Sequence, residues 1–319
     1  MRFSPPPVPA TYFGMVLGLG GLGNGWRTAA RLWAVPALIG EALSLAAFAV
    51  WALWFALYAA RWLDEASRPS ARAELRHPVQ GFFAALVPVA TLIAAVAIQP
   101  HLPWVAGAMA AAGILAQVAF SAYAVGLLWQ GGREAGATTP VLYMPTVGGG
   151  FVAAIACGAF GEPEAGLLFL GVGLFSMLVM ESVVVHRLVA DTLPVSLRAT
   201  LGIHLAPAAV GCVAYLAVTE GPPDRLAQML YGYALLQGAA MLRLVPWLRE
   251  QAFSPAAWAY TFGVSALPLA ALRLVERGLA GPIAHLALPL FVGANLVIGW
   301  IAVRTLVLAA RGELLPRGA

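Results

Sequence analysis

The sequence predicts an all-α integral membrane protein: ten transmembrane helices, arranged as five helical hairpins around a central pore. Three observations carry this expectation. Hydrophobic residues make up 61% of the 319-residue chain and charged residues only 10%, with a mean hydropathy of +0.84; soluble domains carry about 25% charged residues. Ten apolar stretches each approach or exceed the roughly 20 residues that a spanning helix needs. Pro88, Pro145, Pro207 and Pro268 each fall inside one of those stretches, and they recur at intervals of roughly 60 residues, the length of two spans plus turns. A proline inside a helix removes one backbone hydrogen bond and bends the axis. In lipid the freed groups are tolerated only where protein or a water-filled cavity satisfies them. One bent helix per hairpin, repeated, therefore suggests bent helices around a common axis.

Read from turn to turn, the spans are about 10–30, 36–60, 80–98, 104–129, 141–160, 165–186, 199–218, 226–247, 255–275 and 284–307. They alternate in character. The first carries a glycine run (Gly14, Gly18, Gly20, Gly21, Gly23, Gly25), and the other odd spans carry the internal prolines. The even spans are richer in unbroken Leu, Val, Ala and Phe. The odd helices are expected to form a bent inner set, and the even ones a lipid-facing wall.

Arginine in the loops sets orientation. An even number of spans leaves both termini on one side. Arg27, Arg31, Arg225, Arg273 and Arg277 fall on the other side, and the remaining thirteen arginines share the side of the termini. Both termini are thus expected in the cytoplasm, with the protein in the cell inner (plasma) membrane. The chain, 1–319, reads as a single transmembrane domain. Its longest loop, about 61–79, is too short for a soluble domain. The proline-rich start, Met1 to Pro7, has no short apolar core with a cleavage site, so no removable signal peptide is expected. All 18 basic residues are arginine, which fits codon usage and is weak evidence for anion binding. The basic balance reflects topology and does not point to nucleic acid. Cys157 and Cys212 lie within apolar runs, where cysteine behaves as a small hydrophobe.

The motifs that carry chemistry elsewhere fail here on context. Gly18-Leu19-Gly20-Gly21-Leu22-Gly23 fits the dinucleotide pattern, but that pattern needs a βαβ unit. The same glycines form GxxxG pairs, Gly14/Gly18 and Gly21/Gly25, which read as close helix packing or as a helix kept narrow beside an open channel. Glu41 and Glu181 are the acids deepest in spans. Such acids are costly in lipid and are functional candidates by default, yet each lies near a span end. A structural ion pair or hydrogen bond competes with a proton relay, and for Glu181 the neighbour is Arg187. His204, one turn before Pro207, is either a vestibule residue or a polar mouth residue. No catalytic triad, phosphate loop, metal or haem spacing is present, and neither an enzyme nor a cofactor is expected. In the ninth span Phe262 is a bulky ring followed by Gly263 and, further on, Pro268. It is either packing or the widest object on a small-residue inner wall.

Several segments together resemble the tellurite-resistance/dicarboxylate transporter family, which includes bacterial TehA and the plant guard-cell slow anion channels. They are Tyr12 to Gly18 with Trp26-Arg27, Arg76-His77-Pro78-Val79 before Phe82-Phe83, Pro145 to Val152, Leu201 to Pro207, and Trp258 to Phe262. The likeness covers nearly the whole chain. It implies five hairpins with approximate five-fold symmetry around a pore in each subunit, a homotrimer, and a phenylalanine from the ninth helix occluding the pore, here Phe262. Gly14, Gly18, Gly21, Pro88, Pro145, Gly149, Pro207, Gly263 and Pro268 are the expected pore-lining or kink positions. Some relatives have proline directly after the ring, where this chain has Gly263, and Gly150 stands where asparagine is expected. The function implied is a gated channel passively conducting small monovalent anions, chloride or nitrate, across the lipid. The alternative is a secondary exporter of tellurite, sulfite or C4-dicarboxylates. Positive helix ends around one axis would favour anions without a fixed arginine in the pore.

Overall fold

The computed structural model describes residues 6–315, and every regular element among them is helical. Most of the proline-rich start, together with Arg2 and Arg317 of the orientation argument, lies outside the described residues. Five inner helices each begin with a tightened turn. They are α1 (Gly14–Trp33, entered through Ala10–Phe13), α3 (Gln80–Ile98), α5 (Pro140–Ala159), α7 (Val195–Val218) and α9 (Pro255–Glu276). The other five are α2 (Ala37–Leu63), α4 (Pro103–Gln130), α6 (Pro163–Ala190), α8 (Arg225–Leu248) and α10 (Pro282–Ala310).

Eight of the ten are long and apolar enough to cross a membrane. The expected first and eighth spans are helical too, as α1 and α8, but less apolar, since glycines fill one and Gln228, Gln237 and Arg243 interrupt the other. The loop after α2 holds a short helix, Arg68–Arg76, that the hydropathy pattern did not reveal. Its Glu74 accepts hydrogen bonds from Arg61 at 2.7 Å and from the Ala10 N–H at 2.9 Å, pinning the entry to α1.

The prolines sit differently from expectation. Pro88 lies in the first turn of the regular stretch Leu86–Ile98, Pro145 in a π-turn over Met144–Gly148, and Pro207 in the first turn of Ala206–Val218. Of the four, Pro268 alone is in mid-helix. A first turn needs few of its own N–H groups. Three of the four therefore stand where an irregular turn gives way to regular helix. Pro246 and Pro289 lie inside the outer helices α8 and α10, so proline does not separate the two sets.

Burial does separate them. The most apolar stretch is 83% buried in α3, α5 and α7 and 72% in α9, against 17–28% in α2, α4, α6 and α10. Helix α1 buries twelve of its twenty residues, and α8 only five of twenty-four. Each outer helix buries one narrow stripe at steps of three and four, such as Gly166, Leu170, Gly173, Met177 and Val184 in α6, or Ala287, Phe291, Ala294, Ile298 and Ile301 in α10. Small residues in such a stripe let backbones approach closely. Each outer helix packs on the inner helix before it. The inner helices pack α1 on α3, α3 on α5, α5 on α7, α7 on α9 and α9 back on α1. Helices α5 and α9 stop at Gly161 and Gly278, with φ of 81° and 93°. There the 6→1 bonds Glu162 N–H to Cys157 O and Leu279 N–H to Leu274 O close the ends, a turn that favours glycine.

Candidate functional site

Two cavities lie within the circuit of inner helices. The first, about 100 Å³, is at the end where the inner helices begin, lined by Thr11, Gly14, Phe83, Met144, Ile203 and Trp258 among others. The second, about 340 Å³, is at the opposite end, lined by Gly21, Asn24, Ile93, Ile155, Val210 and Leu269 among others. All five inner segments contribute to both cavities, and no outer helix contributes to either. Phe262 is the one described residue that lines both, and it is only 8% exposed.

Glycine contacts on both sides seat the helix that carries that ring. A Cβ on Gly18 of α1 would stand 2.2 Å from Thr261 Oγ1, and one on Gly21 would stand 2.2 Å from Ser265 Oγ. On the other flank, a Cβ on Gly263 would stand 2.8 Å from Leu205 Cβ and 3.0 Å from the Ala206 nitrogen of α7. Helix α9 is thus seated between α1 and α7 at the residues before and after Phe262, with no side chain from one partner. The hydroxyl of Ser265 donates to Phe262 O at 3.0 Å.

Gly14, Gly21 and Phe262 reach the cavities. The other sequence-predicted positions line neither. Gly18 and Gly263 make the contacts just described. Pro145 O accepts from Gln117 Nε2 and Ser121 Oγ of α4, both at 2.6 Å, and a Cβ on Gly149 would strike the same Gln117 at 2.0 Å. Pro88 O faces Gly113 of α4. Pro207 and Pro268 are buried between helices. A Cβ on Gly150, where asparagine was expected, would stand 2.7 Å from the Gly173 nitrogen of α6, and Gly150 lines neither cavity.

Sequence reasoning missed two residues. Arg273 and Arg277, used above only to set orientation, line the second cavity and are the charged groups among its lining residues; the first cavity has none. The expectation of a pathway free of fixed arginine does not extend to this end. Phe262, Ala266, Leu269 and Arg273 follow one another at helical steps of three and four, so one face of α9 carries the ring and the guanidinium. That periodicity was legible.

Of the two half-buried acids, Glu41 is in an ion pair, as weighed above, and Glu181 has partners other than Arg187. Glu41 takes a two-point bond from Arg27 at 2.8 and 2.7 Å and lies 2.8 Å from His101 Nε2. Arg187 pairs with Asp191, not Glu181. Glu181 of α6 turns inward. It accepts from Tyr143 of α5 at 2.6 Å and from Tyr233 of α8, and His204 of α7 lies 3.4 Å away. His204 therefore sits behind the wall of the first cavity, with Tyr143 Oη 3.1 Å from its Nδ1. Among the described residues, no group of three or more His, Cys, Asp and Glu could hold a metal ion.

Residues 7–306 match the SLAC1 family, described as voltage-dependent anion channel. The chain is 33% identical over 313 residues to a tellurite resistance protein TehA homologue of Haemophilus influenzae, covering 97% of this chain and 93% of that protein. It is 25% identical over 293 residues to the S-type anion channel SLAH2 of Arabidopsis thaliana, covering 84% of this chain and 53% of that one. With a buried inner helix set, two cavities and a family match over residues 7–306, this multi-pass membrane protein belongs to the voltage-dependent anion channel (SLAC1/TehA) family.

Proposed function

We propose that the chain is a gated channel that passively conducts small monovalent anions, chloride or nitrate, through a pore inside the five inner helices, and that the Phe262 ring occludes it. The observation that carries this reading is the position of Phe262 between the two cavities, each walled by all five inner segments. Five hairpins around a pore, ten spans with both termini cytoplasmic, and a homotrimer complete the reading; the inner circuit of contacts supports the first of these.

A bare anion entering lipid meets a Born cost of tens of kcal/mol, and a wet passage removes most of it. The first cavity faces the N-terminal ends of the inner helices, where dipoles and unpaired N–H groups favour negative charge. At the second, the helix ends carry the opposite dipole, and Arg273 and Arg277 counter it. The wall between the ends is apolar or carries only small polar groups. Conduction without tight binding follows from so weak a field.

A secondary carrier, exporting tellurite, sulfite or a C4-dicarboxylate, is favoured by one observation. Glu181 is turned onto Tyr143 and His204 of two inner helices, and an intramembrane acid beside a histidine is a proton-relay candidate. Currents through purified protein in planar bilayers separate the readings. The channel predicts large unitary currents in Phe262→Ala and little in wild type, ranked across chloride, nitrate and malate. Silence in both, with uptake into liposomes that follows a pH gradient, would transfer the assignment to the carrier.

A further inference from the structure

Beside the second cavity two guanidinium groups share one carboxylate. Arg31 Nε donates to Glu276 Oε1 at 2.5 Å, and Arg273 Nη1 donates to Glu276 Oε2 at 3.2 Å. Arg277 is spent on the end of α7, donating to Leu216 O at 2.5 Å and to the carbonyl and hydroxyl of Thr219. Arg273 and Arg277 are the charged residues in the lining of the second cavity, and the first cavity has no charged lining residue. Arg277 has both its Nη groups committed. Arg273 does not. Its side chain is 43% exposed and lines the cavity, and its Nε–Nη2 edge bonds to no group among the described residues. That edge is the planar two-donor fork that matches a flat oxyanion, while a spherical halide gains only its charge. Apart from Asn24, Ser265 and the arginines, the wall is Gly, Ala, Val, Ile, Leu and Phe. Low-dielectric walls focus the field of a charge and raise local counter-ion concentration.

Building on the channel reading above, we propose that Arg273 is the anion-capture residue of the second cavity. It concentrates small monovalent anions there and binds planar ones, such as nitrate, through its free edge. Because only the second cavity has charged residues in its lining, anion current rectifies, flowing more readily when anions enter from the second cavity.

The test uses the full chain in planar bilayers, with Phe262→Ala as the conducting background. Removing one unit charge about 8 Å from the path changes anion supply about two- to threefold in water. In 50 mM chloride, Arg273→Gln should lower current from that side by about this factor and weaken rectification, Arg277 keeping its charge. In 1 M salt, where the Debye length is about 3 Å, the difference should vanish. Arg273→Lys should keep the chloride current but lose the advantage of nitrate. Glu276→Gln should move current the other way, upward, which damage to the fold would not do. Arg273→Gln with unchanged low-salt current and rectification overturns the proposal, as does an equal fall at both salt concentrations. A second readout needs no conduction: ³⁵Cl line broadening by detergent-solubilised wild type should drop in Arg273→Gln and be displaced by nitrate. Loss of broadening with a silent Phe262→Ala protein would keep the site and sink the channel. A conducting Phe262→Ala protein indifferent to Arg273→Gln in both assays would do the reverse.

Discussion

Replacing Gly21 by alanine tests whether glycine contacts seat the helix that carries Phe262. The new Cβ would stand 2.2 Å from Ser265 Oγ and 3.0 Å from Ser265 Cβ, and Ser265 is 1% exposed. The oxygen is about 1 Å too close, so the hydroxyl must rotate away from Phe262 O, its acceptor at 3.0 Å. Losing that bond and burying the hydroxyl unpaired costs about 1–3 kcal/mol, and crowding adds about 1 kcal/mol. Alanine returns about 1 kcal/mol of helix propensity. The net loss is about 1–3 kcal/mol, or roughly 2–4 °C per kcal/mol in a chain of this size. Ser265→Ala removes the clashing atom and leaves a tight contact of 3.0 Å that small shifts absorb. The double variant should therefore be more stable than Gly21→Ala alone, with a favourable coupling of about 1–2 kcal/mol. Thermal unfolding of the four proteins in one detergent measures the cycle. Gly21→Ala at or above the parent midpoint, or a double variant no better than Gly21→Ala, would refute the seating argument. The Phe262 ring should stay closed throughout, since the new methyl lies 3.9 Å from its Cδ2.

Other outcomes follow from the same geometry. Tyr143→Phe deletes a 2.6 Å bond to Glu181 from a side chain 1% exposed, and should cost about 1.5–3 kcal/mol. Tyr233→Phe, on a half-exposed side chain, should cost less, and equal midpoint losses would count against the inward-turned Glu181. Asp224 caps α8 by accepting from the Ala227 N–H at 3.0 Å, so Asp224→Ala should cost about 1 kcal/mol and Asp224→Asn much less. The Tyr215 hydroxyl, and after it that N–H, hold the Asp224 carboxyl below the usual carboxylate range. Its contribution is complete above the unfolded value near 3.9 and fades as pH falls through the depressed folded one. The penalty of Asp224→Ala, measured by unfolding between pH 7 and pH 3, should therefore shrink toward acid; a constant penalty would be the wrong sign.

The inner set was legible from odd spans marked by proline and glycine, although for the wrong reason in three cases. Pro88, Pro145 and Pro207 mark tight entries to regular helix, and hydropathy does not tell a first turn from a middle one. The glycines left packing and channel open, and the structure divides them. Gly18 packs, Gly14 reaches a cavity, and Gly21 does both. Arg273 lies within the ninth span as drawn, 255–275, but was counted with the loop arginines for orientation, so its place on the face of Phe262 was not read. The partners of Glu181 were not legible, because Tyr143, His204 and Tyr233 come from three other helices and nothing local in sequence marks them. Nor was Arg68–Arg76: nine residues, mixed in charge and burying only Ala71, leave no apolar signal.

The central claim is that the Phe262 ring is the barrier between the two cavities, and a size series at that position tests it most directly. Unitary chloride conductance in symmetric salt should rise stepwise from Phe262 through Phe262→Leu and Phe262→Val to Phe262→Ala, with reversal potentials that follow the chloride gradient. A flat series, or an alanine variant as silent as wild type in properly folded protein, would contradict it.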